Sequence, residues 1–469
     1  MAHSSEAAAE RVLRGAIARI KPSPEEGRET RAVADEVMRR LRAAIPGDIG
    51  IELVGSIAKG TALAGSGDID IFITFPHGKY TREDLEHTGL AFAKRALAKG
   101  ETWEIGFAEH PYLKAVIRGK DVEIVPAFKI SSASEKASAA DRSPLHTEYV
   151  LKRISEKQKD DVRMLKKFLK RLAVYGAEVK VEGFSGYLCE LLILRHASIQ
   201  KLLSEARHWH EEAVDLEGAY PSASAAREKF AFPPLVVVDP VDAGRNVAAA
   251  VSETSLSKFI VASRAFLANP SEEYFFETPR KLTPENMKSL RTALLWNDAP
   301  EVLAIRFPAP KLMVPDTLWP QLRRTARILF DRLNSAGFEV FDYNYWTDED
   351  KECIVIFQFT VSELPNLEKV TGPEIQFEEG AADFISAHRN AIAGPWVGGN
   401  RVYSARKRRF THARDLVAHI AGHPKEFGIP SKIGELLPSY RTVGAKQLLS
   451  KKYASFAYDF VHKKHYYLG

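Results

Sequence analysis

Between residues 23 and 44 the apolar positions Val33, Val37, Met38 and Leu41 recur at the spacing of one helix face. Ser23 precedes that helix, Pro24 takes its first position, and Glu26 falls where a capping box would place it. The stretch 1–20 carries Glu and Arg through its apolar positions, so it reads as a helix and not as a secretory leader. After Pro46-Gly47 the pattern changes to short apolar runs. "IGIELVGS" and "DIDIFITFP" predict two strands around a loop, a helix is expected near 81–99, and "YLKAVIRG" and "DVEIVPAF" predict two further strands. These elements make a small α/β domain ending near residue 150.

From 155 to 270 the pattern is helical. "EKQKDDVRMLKKFLKRLAVYG" sets Val162, Leu165, Phe168, Leu169 and Leu172 on one face, and "FSGYLCELLILRHASIQKLLSEARHW" reads as a single, more buried helix. "FPPLVVVDPVDAGRNVAAAVS" interrupts with a strand and a proline-bounded turn before a helix near Ser255. From about 300, "EVLAIRFPAP", "FEVFDYNYW" and "ECIVIFQF" predict strands, with a helix over 316–336 among them. Beyond 395 come short elements with many basic and aromatic residues. The predicted fold class is α+β and multidomain.

Composition narrows this picture only a little. The 469 residues carry 66 Lys and Arg against 61 Asp and Glu, a net charge of +5, which permits a polyanionic partner where the charge clusters. Cys189 and Cys353 are too few for a disulfide framework or a zinc site and read as reduced core thiols. No apolar run approaches the ~20 residues of a membrane span, so a soluble, cytoplasmic protein is expected.

The chemistry concentrates in "VGSIAKGTALAGSGDIDIFI", residues 54–73. On a strand, Asp68 and Asp70 project from one face while Ile69 and Ile71 face a core. Adjacent carboxylates repel and are costly to desolvate without a cation between them. Alone, the pair also suits a solvated strand end. A second strand, "KDVEIVPAF", repeats the pattern with Asp121 and Glu123, and pairing it beside the first would gather three carboxylates. Such oxygen ligands suit Mg²⁺. Gly55 and Ser56, at a helix start, offer a backbone and hydroxyl cradle for phosphates.

Gly-Ser, a spacer of about a dozen residues, D-x-D and a later third acid resemble the nucleotidyltransferases of the DNA polymerase β superfamily. The stretches "RSPLHTEYV", "DDVRMLKKFLKRLAVYGAEVKVEGFSGYLCELLI" and "DPVDAGRNVAAAVS" make the chain similar, more narrowly, to archaeal-type (class I) CCA-adding enzymes. That resemblance implies a polymerase β-like catalytic domain over 1–153 and a helical nucleotide-recognition domain over 154–270. It implies a tRNA-binding body over 271–300 with 395–469, and an α+β tail, also tRNA-binding, over 301–394. It further implies template-independent addition of C, C and A to tRNA from CTP and ATP, with Mg²⁺ as cofactor, and is compatible with a homodimer. Gly55, Ser56 and Lys59 would meet the nucleotide phosphates, and Asp68, Asp70 and Glu123 would hold the metals. His146, Lys166 and Tyr175 would contact the nucleotide, and Arg245 would face its base.

The chain departs from the family in carrying Glu123 where Asp is usual, which leaves Asp121 as a competing third ligand. Lys59 stands where Arg is frequent, keeping charge but losing a bidentate fork. Each assignment has a plainer rival. Lys166 suits a solvated helix face, Tyr175 a helix-end aromatic, His146 a satisfied turn histidine, and Arg245 an ion pair with Asp239 or Asp242. "NRVYSARKRRFTHAR" (400–414) and "SKKYASFAYDFVHKKHYYLG" (450–469) mix basic and aromatic residues as an RNA surface does. The acidic stretch 368–384 is expected to point away from RNA. A different nucleotidyltransferase, making oligoadenylate or a cyclic dinucleotide, is the alternative enzyme, and a catalytically silent RNA-binding protein the alternative of another class.

Overall fold

The computed structural model describes residues 2–107, 110–276, 282–295, 301–311, 313–463 and 466–468. The chain forms two units, Met1–Pro279 with His465–Gly469, and Arg280–Lys464. Among the described residues no helix is long and apolar enough to cross a membrane.

The first unit opens with helices α1 (Ala2–Ile20) and α2 (Pro24–Ala44). Ser23 caps α2 by accepting the Glu26 N–H, but Glu26 does not close a capping box; its carboxylate accepts the Gly65 N–H at 2.6 Å instead. There follow β1 (Gly50–Val54), α3 (Gly55–Lys59), β2 (Ile69–Pro76), α4 (Arg82–Arg95), β3 (Thr102–Phe107), β4 (Pro111–Ile117) and β5 (Lys120–Lys129). They form a five-stranded sheet in the order β1-β2-β5-β4-β3, parallel only between β2 and β5. Ile69, Ile71, Ile73, Leu113, Val122 and Ile124 pack from one face against Val33, Val37 and Leu41 of α2 and Phe92 of α4. By the strand alternation, Asp70, Glu123 and Lys114 therefore share the opposite face. Strand β3 was not legible as a strand, because at the sheet's edge "TWEIGF" has no buried alternation to reveal it.

Helices α5 (Arg142–Leu151), α6 (Glu156–Arg171), α7 (Gly186–His196), α8 (Ile199–Ala206), α9 (Ala223–Lys229) and α10 (Glu253–Ala268) complete this unit, with strands β6 (Ala213–Val214), β7 (Val236–Asp239) and β8 (Asp242–Asn246) before α10. The expected single helix over "FSGYLCELLILRHASIQKLLSEARHW" is two, α7 and α8. Ala197 adopts φ +66° and ends the first, and Ser198 caps the second through the Lys201 N–H. Phe168 of α6 lies at the centre of the helical core, 5.9–6.2 Å from the rings of Phe259, Phe266, Tyr274 and Phe275.

The second unit comprises α11 (Pro284–Leu295), β9 (Val302–Pro308), α12 (Pro315–Ser335), β10 (Glu339–Thr347), β11 (Glu352–Val361), β12 (Leu367–Glu374), α13 (Glu378–Ala387), β13 (Ala393–Gly398), β14 (Arg401–Lys407), α14 (Ala413–Gly422), β15 (Arg441–Val443) and a last helix, Ala454–His462, with short turns between. One sheet runs β10-β11-β9-β15 and a second β12-β14-β13. Val355 and Phe357 of β11 pack on Leu322 and Leu329 of α12, while Ile354 and Ile356 face Leu290 of α11 and Phe460 of the last helix. In the stretch 450–469, read as an RNA surface, residues 464, 465 and 469 lie outside the described residues, Lys451 and Lys452 are exposed, and three aromatics turn inward. Tyr453 and Phe460 are buried here, and Tyr467 is buried in the first unit's core, so those aromatics pack protein.

Candidate active site

At the end of β1 the chain must turn sharply into α3, and Gly55 does so at φ +71°. A Cβ on Gly55 would stand 1.8 Å from Oδ2 of Asp70, so the backbone there passes against the carboxylate with no room for a side chain. Ser56 follows in the first turn of α3, and Asp68 immediately precedes β2. The parallel register places Asp70 directly beside Glu123. Burial first, then the neighbouring Glu123 and Asp68, push the Asp70 carboxyl up to about 7. Burial also raises Glu123, with Lys114 opposing and Asp68 adding to the shift. Three carboxylates gathered with this mutual repulsion are a set that a cation would relieve.

The donors fit a hard divalent ion, since all are carboxylate oxygens. Among the described residues, however, no three His, Cys, Asp or Glu side chains stand ready around one point. Glu123 has Lys114 for a neighbour instead, with Nζ 3.6 Å from its Oε1. Asp121, the competing ligand, lies two residues earlier on β5 and lines, with Ser56 and Asp68, a cavity of about 630 Å³ beside the N-terminus of α2.

Lys59 and Lys166 come together, though not as open phosphate ligands. Both are buried, and both face Glu190 of α7. Lys59 Nζ donates to Glu190 Oε2 at 2.5 Å, the Thr61 hydroxyl donates to Oε1 at 2.7 Å, and Lys166 Nζ lies 3.8 Å from Oε1 while donating to the Thr61 carbonyl and hydroxyl at 3.2 Å. Burial lowers Lys166, and Glu190 opposes that. Lys166 is therefore buried and not on a solvated helix face, and the ammoniums of Lys59, expected at the phosphates, and Lys166, expected at the nucleotide, are already paired within the protein. Sequence reading passed over Glu190. Its one signal is a lone acid inside the apolar run "YLCELLIL".

His146, Tyr187 and Arg245 converge on a second buried carboxylate, Asp239. Its Oδ2 accepts from His146 Nε2 at 2.9 Å and from Arg245 Nη1 at 2.8 Å, and its Oδ1 from the Tyr187 hydroxyl at 3.2 Å and the Val241 N–H at 3.1 Å. His146 stacks on Tyr187 at 4.0 Å between ring centres. Arg245 lies on strand β8, not in a turn of a helical segment, and its side chain is one-third exposed. Of the two ion pairs weighed for it, the one with Asp239 forms; Asp242 instead takes Arg142 at 2.8 Å and Lys136. Tyr175 sits apart from this cluster, its hydroxyl beside Gly186 and Lys166, with Lys170 Nζ 5.3 Å from its ring centre.

Although burial alone would raise Asp239, the hydrogen bonds from His146 and Arg245 bring it down to about 2. A carboxylate lowered from its ordinary value of 3.8 stabilises the fold above that value, and the stabilisation is lost as pH falls toward 2. Relative to Asp239→Asn, the protein should lose roughly 2 kcal/mol of unfolding free energy between pH 5 and pH 2. Urea unfolding of both forms at the two pH values checks this; a gap that stays constant contradicts it.

In the second unit, the basic strand β14 is bonded to the acidic strand β12. Glu368 pairs in register with Arg406 and accepts from it at 2.9 Å, Arg408 lies 3.4 Å from the same carboxylate, and Glu374 takes Arg401 at 2.7 Å. The acidic segment 368–384 therefore begins by pairing with the basic run of the neighbouring strand. Arg408 also donates to the Ala336 carbonyl at 3.1 Å. Lys407 and Arg409 remain exposed. Trp396 stacks on Tyr403 at 5.7 Å, with Lys369 Nζ 3.8 Å from the Tyr403 ring centre.

Family models agree with this division of the chain. Residues 34–146 match a nucleotidyltransferase domain, residues 160–276 a tRNA nucleotidyltransferase second domain, and residues 299–437 a CCA-adding enzyme C-terminal domain. The chain is 39% identical over 420 residues to a CCA-adding enzyme of Pyrobaculum islandicum, covering 88% of this chain and 94% of the relative. It is 36% identical over 423 residues to that of Methanothermobacter thermautotrophicus, covering 88% and 89%. With that of Archaeoglobus fulgidus it shares 33% identity over 447 residues, covering 94% and 96%. Among solved structures, the Cid1 poly(U) polymerase bound to Mg and 3′-dATP aligns at a TM-score of 0.46 and 18% identity, over 57% of this chain and 98% of that one.

Proposed function

This chain belongs to the CCA-adding enzymes, and from that premise we propose that it adds C, C and A, untemplated, to the 3′ end of tRNA from CTP and ATP. The single observation that carries the reading is the register that sets Asp70 beside Glu123, with the Gly55 backbone passing against the Asp70 carboxylate. Asp68, Asp70 and Glu123 would hold divalent ions, Mg²⁺ by the hardness of their oxygens, and ions held there would supply activation of the 3′ hydroxyl and offset charge on the departing pyrophosphate.

The remaining work falls to the chain. The Ser56 hydroxyl and the first N–H groups of α3 bind phosphate oxygens and fix the α-phosphate near Asp70. Lys59 and Lys166, held by Glu190, supply fixed positive charge behind that site, stronger for being away from water. Tyr175 and His146 border the nucleotide.

Base choice has to come from groups that meet the base edge, because CTP and ATP carry the same triphosphate. Asp239 occupies one Nη of Arg245 and leaves the other donors of its fork for acceptors on cytosine or adenine. Arg245→Ala should raise KM for CTP and ATP about tenfold and increase UTP and GTP misincorporation, with Mg²⁺ dependence unchanged. A large loss of melting temperature with unchanged selectivity would make Arg245 a structural partner of Asp239 only.

The pairing in the second unit sharpens the expectation for RNA contacts. Lys407→Gln with Arg409→Gln should weaken every tRNA alike and reduce the salt slope of binding by about one to two counterions. Arg408→Gln should instead lower the melting temperature, since it breaks bonds to Glu368 and Ala336. Filter binding across a salt series separates them; an unaltered slope in the first variant assigns those residues to a solvated face.

Pyrophosphate release tests the proposed reaction by count. A tRNA lacking all three terminal nucleotides should release two pyrophosphates per molecule with CTP alone and three with CTP plus ATP. With ATP alone it should release none, whereas a tRNA ending in CC should release one. Continuous release with ATP alone would favour a homopolymer-forming enzyme.

A further inference from the structure

One row of side chains crosses the open face of the catalytic sheet: Asp70 on β2, Glu123 on β5, Lys114 on β4 and Glu104 on β3, each opposite the next in register. Ser56 lies at the β1 end of that row, so phosphates bound there approach the carboxylates from β1. A hydroxyl attacking in line must then come from the other end, over β4 and β3. A groove of about 490 Å³ lies on that side, and its wall includes Asp68, Glu104, Asp121 and Glu123. An RNA strand entering it carries phosphodiesters past four carboxylates. Among the described residues of the wall, Lys114 is the one cation.

Lys114 is placed for such a contact. Its side chain is 41% exposed, and its Nζ lies 3.6 Å from Glu123. Gly106, across β3, makes the space: a Cβ there would stand 2.7 Å from the Tyr112 ring and 2.9 Å from Lys114 Cε. An ammonium in an acidic groove can serve Glu123 only until a divalent ion takes that carboxylate. With the Tyr112 hydroxyl as its remaining neighbour, it can then pair with another anion, and the strand whose terminal hydroxyl is being extended brings one.

We infer that Lys114 binds the last phosphodiester of the RNA strand being extended, and so seats its 3′ hydroxyl beside Glu123. The inference rests on the proposed nucleotidyl transfer to RNA. Lys114→Met should raise KM for tRNA lacking its CCA end about tenfold, leave KM for CTP within twofold, and keep the melting temperature. It should also reduce the salt slope of RNA binding, measured with Ca²⁺ in place of Mg²⁺, by about 0.7, the value of one single-strand contact. Lys114→Arg should restore most of the affinity. An RNA carrying an uncharged methylphosphonate at its last linkage should bind the wild type and Lys114→Met equally. Unchanged KM and salt slope in Lys114→Met, with the wild type active, would overturn the inference alone, as would a change confined to the Mg²⁺ requirement. A wild type that extends no RNA would overturn the proposed function and this inference with it.

Discussion

Asp70→Asn is expected to lower single-turnover addition of both C and A by at least about a thousandfold while leaving tRNA affinity within twofold. Loss of one carboxylate from a metal-holding set removes several kcal/mol of transition-state stabilisation, and each 1.36 kcal/mol is tenfold in rate. Asp68→Asn should behave alike. Binding should survive because the exposed cations assigned to RNA lie in the second unit and on β4, not on the Asp70 side chain. The fold should survive as well. Asp70 is held near 7 by burial and by its acidic neighbours, so an uncharged amide in its place relieves repulsion and does not create it. Single-turnover incorporation, filter binding and thermal melting on the same preparation check the three statements. More than about a tenth of the wild-type rate would contradict a metal-holding role.

Gly55→Ala should be nearly as damaging, for a steric reason. The residue sits at φ +71°, where an L side chain costs about 1 kcal/mol, and its new Cβ would fall 1.8 Å from Asp70 Oδ2. Either the α3 turn or the Asp70 carboxylate has to move. A displacement of about 1 Å at a reacting centre costs on the order of a hundredfold in rate. Gly78→Ala is the control: its φ is +80° and nothing lies within 4 Å of the added carbon, so it should show the backbone cost without the loss of rate. Equal rate losses in the two variants would assign the effect to backbone strain alone.

The candidate carboxylates were legible because a strand repeats every two residues. D-I-D and D-V-E each put their acids on one face and their Ile or Val on the other, whatever the rest of the chain does. These four acids therefore came from local pattern, the family resemblance chose Glu123 over Asp121, and the parallel pairing of β2 with β5 sets Asp70 beside Glu123. What stayed hidden depends on partners far along the chain. Glu190 looks like an ordinary helix acid until Lys59 and Lys166, 131 and 24 residues away, close on it. Asp239 before Pro240 reads as a turn former, and only the fold brings His146 and Tyr187 onto its oxygens. The basic run at 400–414 reads as an RNA surface because its composition says nothing of Glu368 and Glu374 on the neighbouring strand. The break between α7 and α8 is a case of local chemistry overruling hydrophobic period. Ser198 offers a cap, and the continuous apolar pattern masks it.

A chain that writes a defined triplet on RNA is tested most directly by the sequence of its product. A tRNA lacking its CCA end, incubated with the protein, Mg²⁺ and all four nucleoside triphosphates, should acquire C, C and A in that order and then stop, as read by sequencing its 3′ ends. Tails of uniform U or A, ends of varying length, or tRNA recovered without a single added nucleotide would contradict the proposed function.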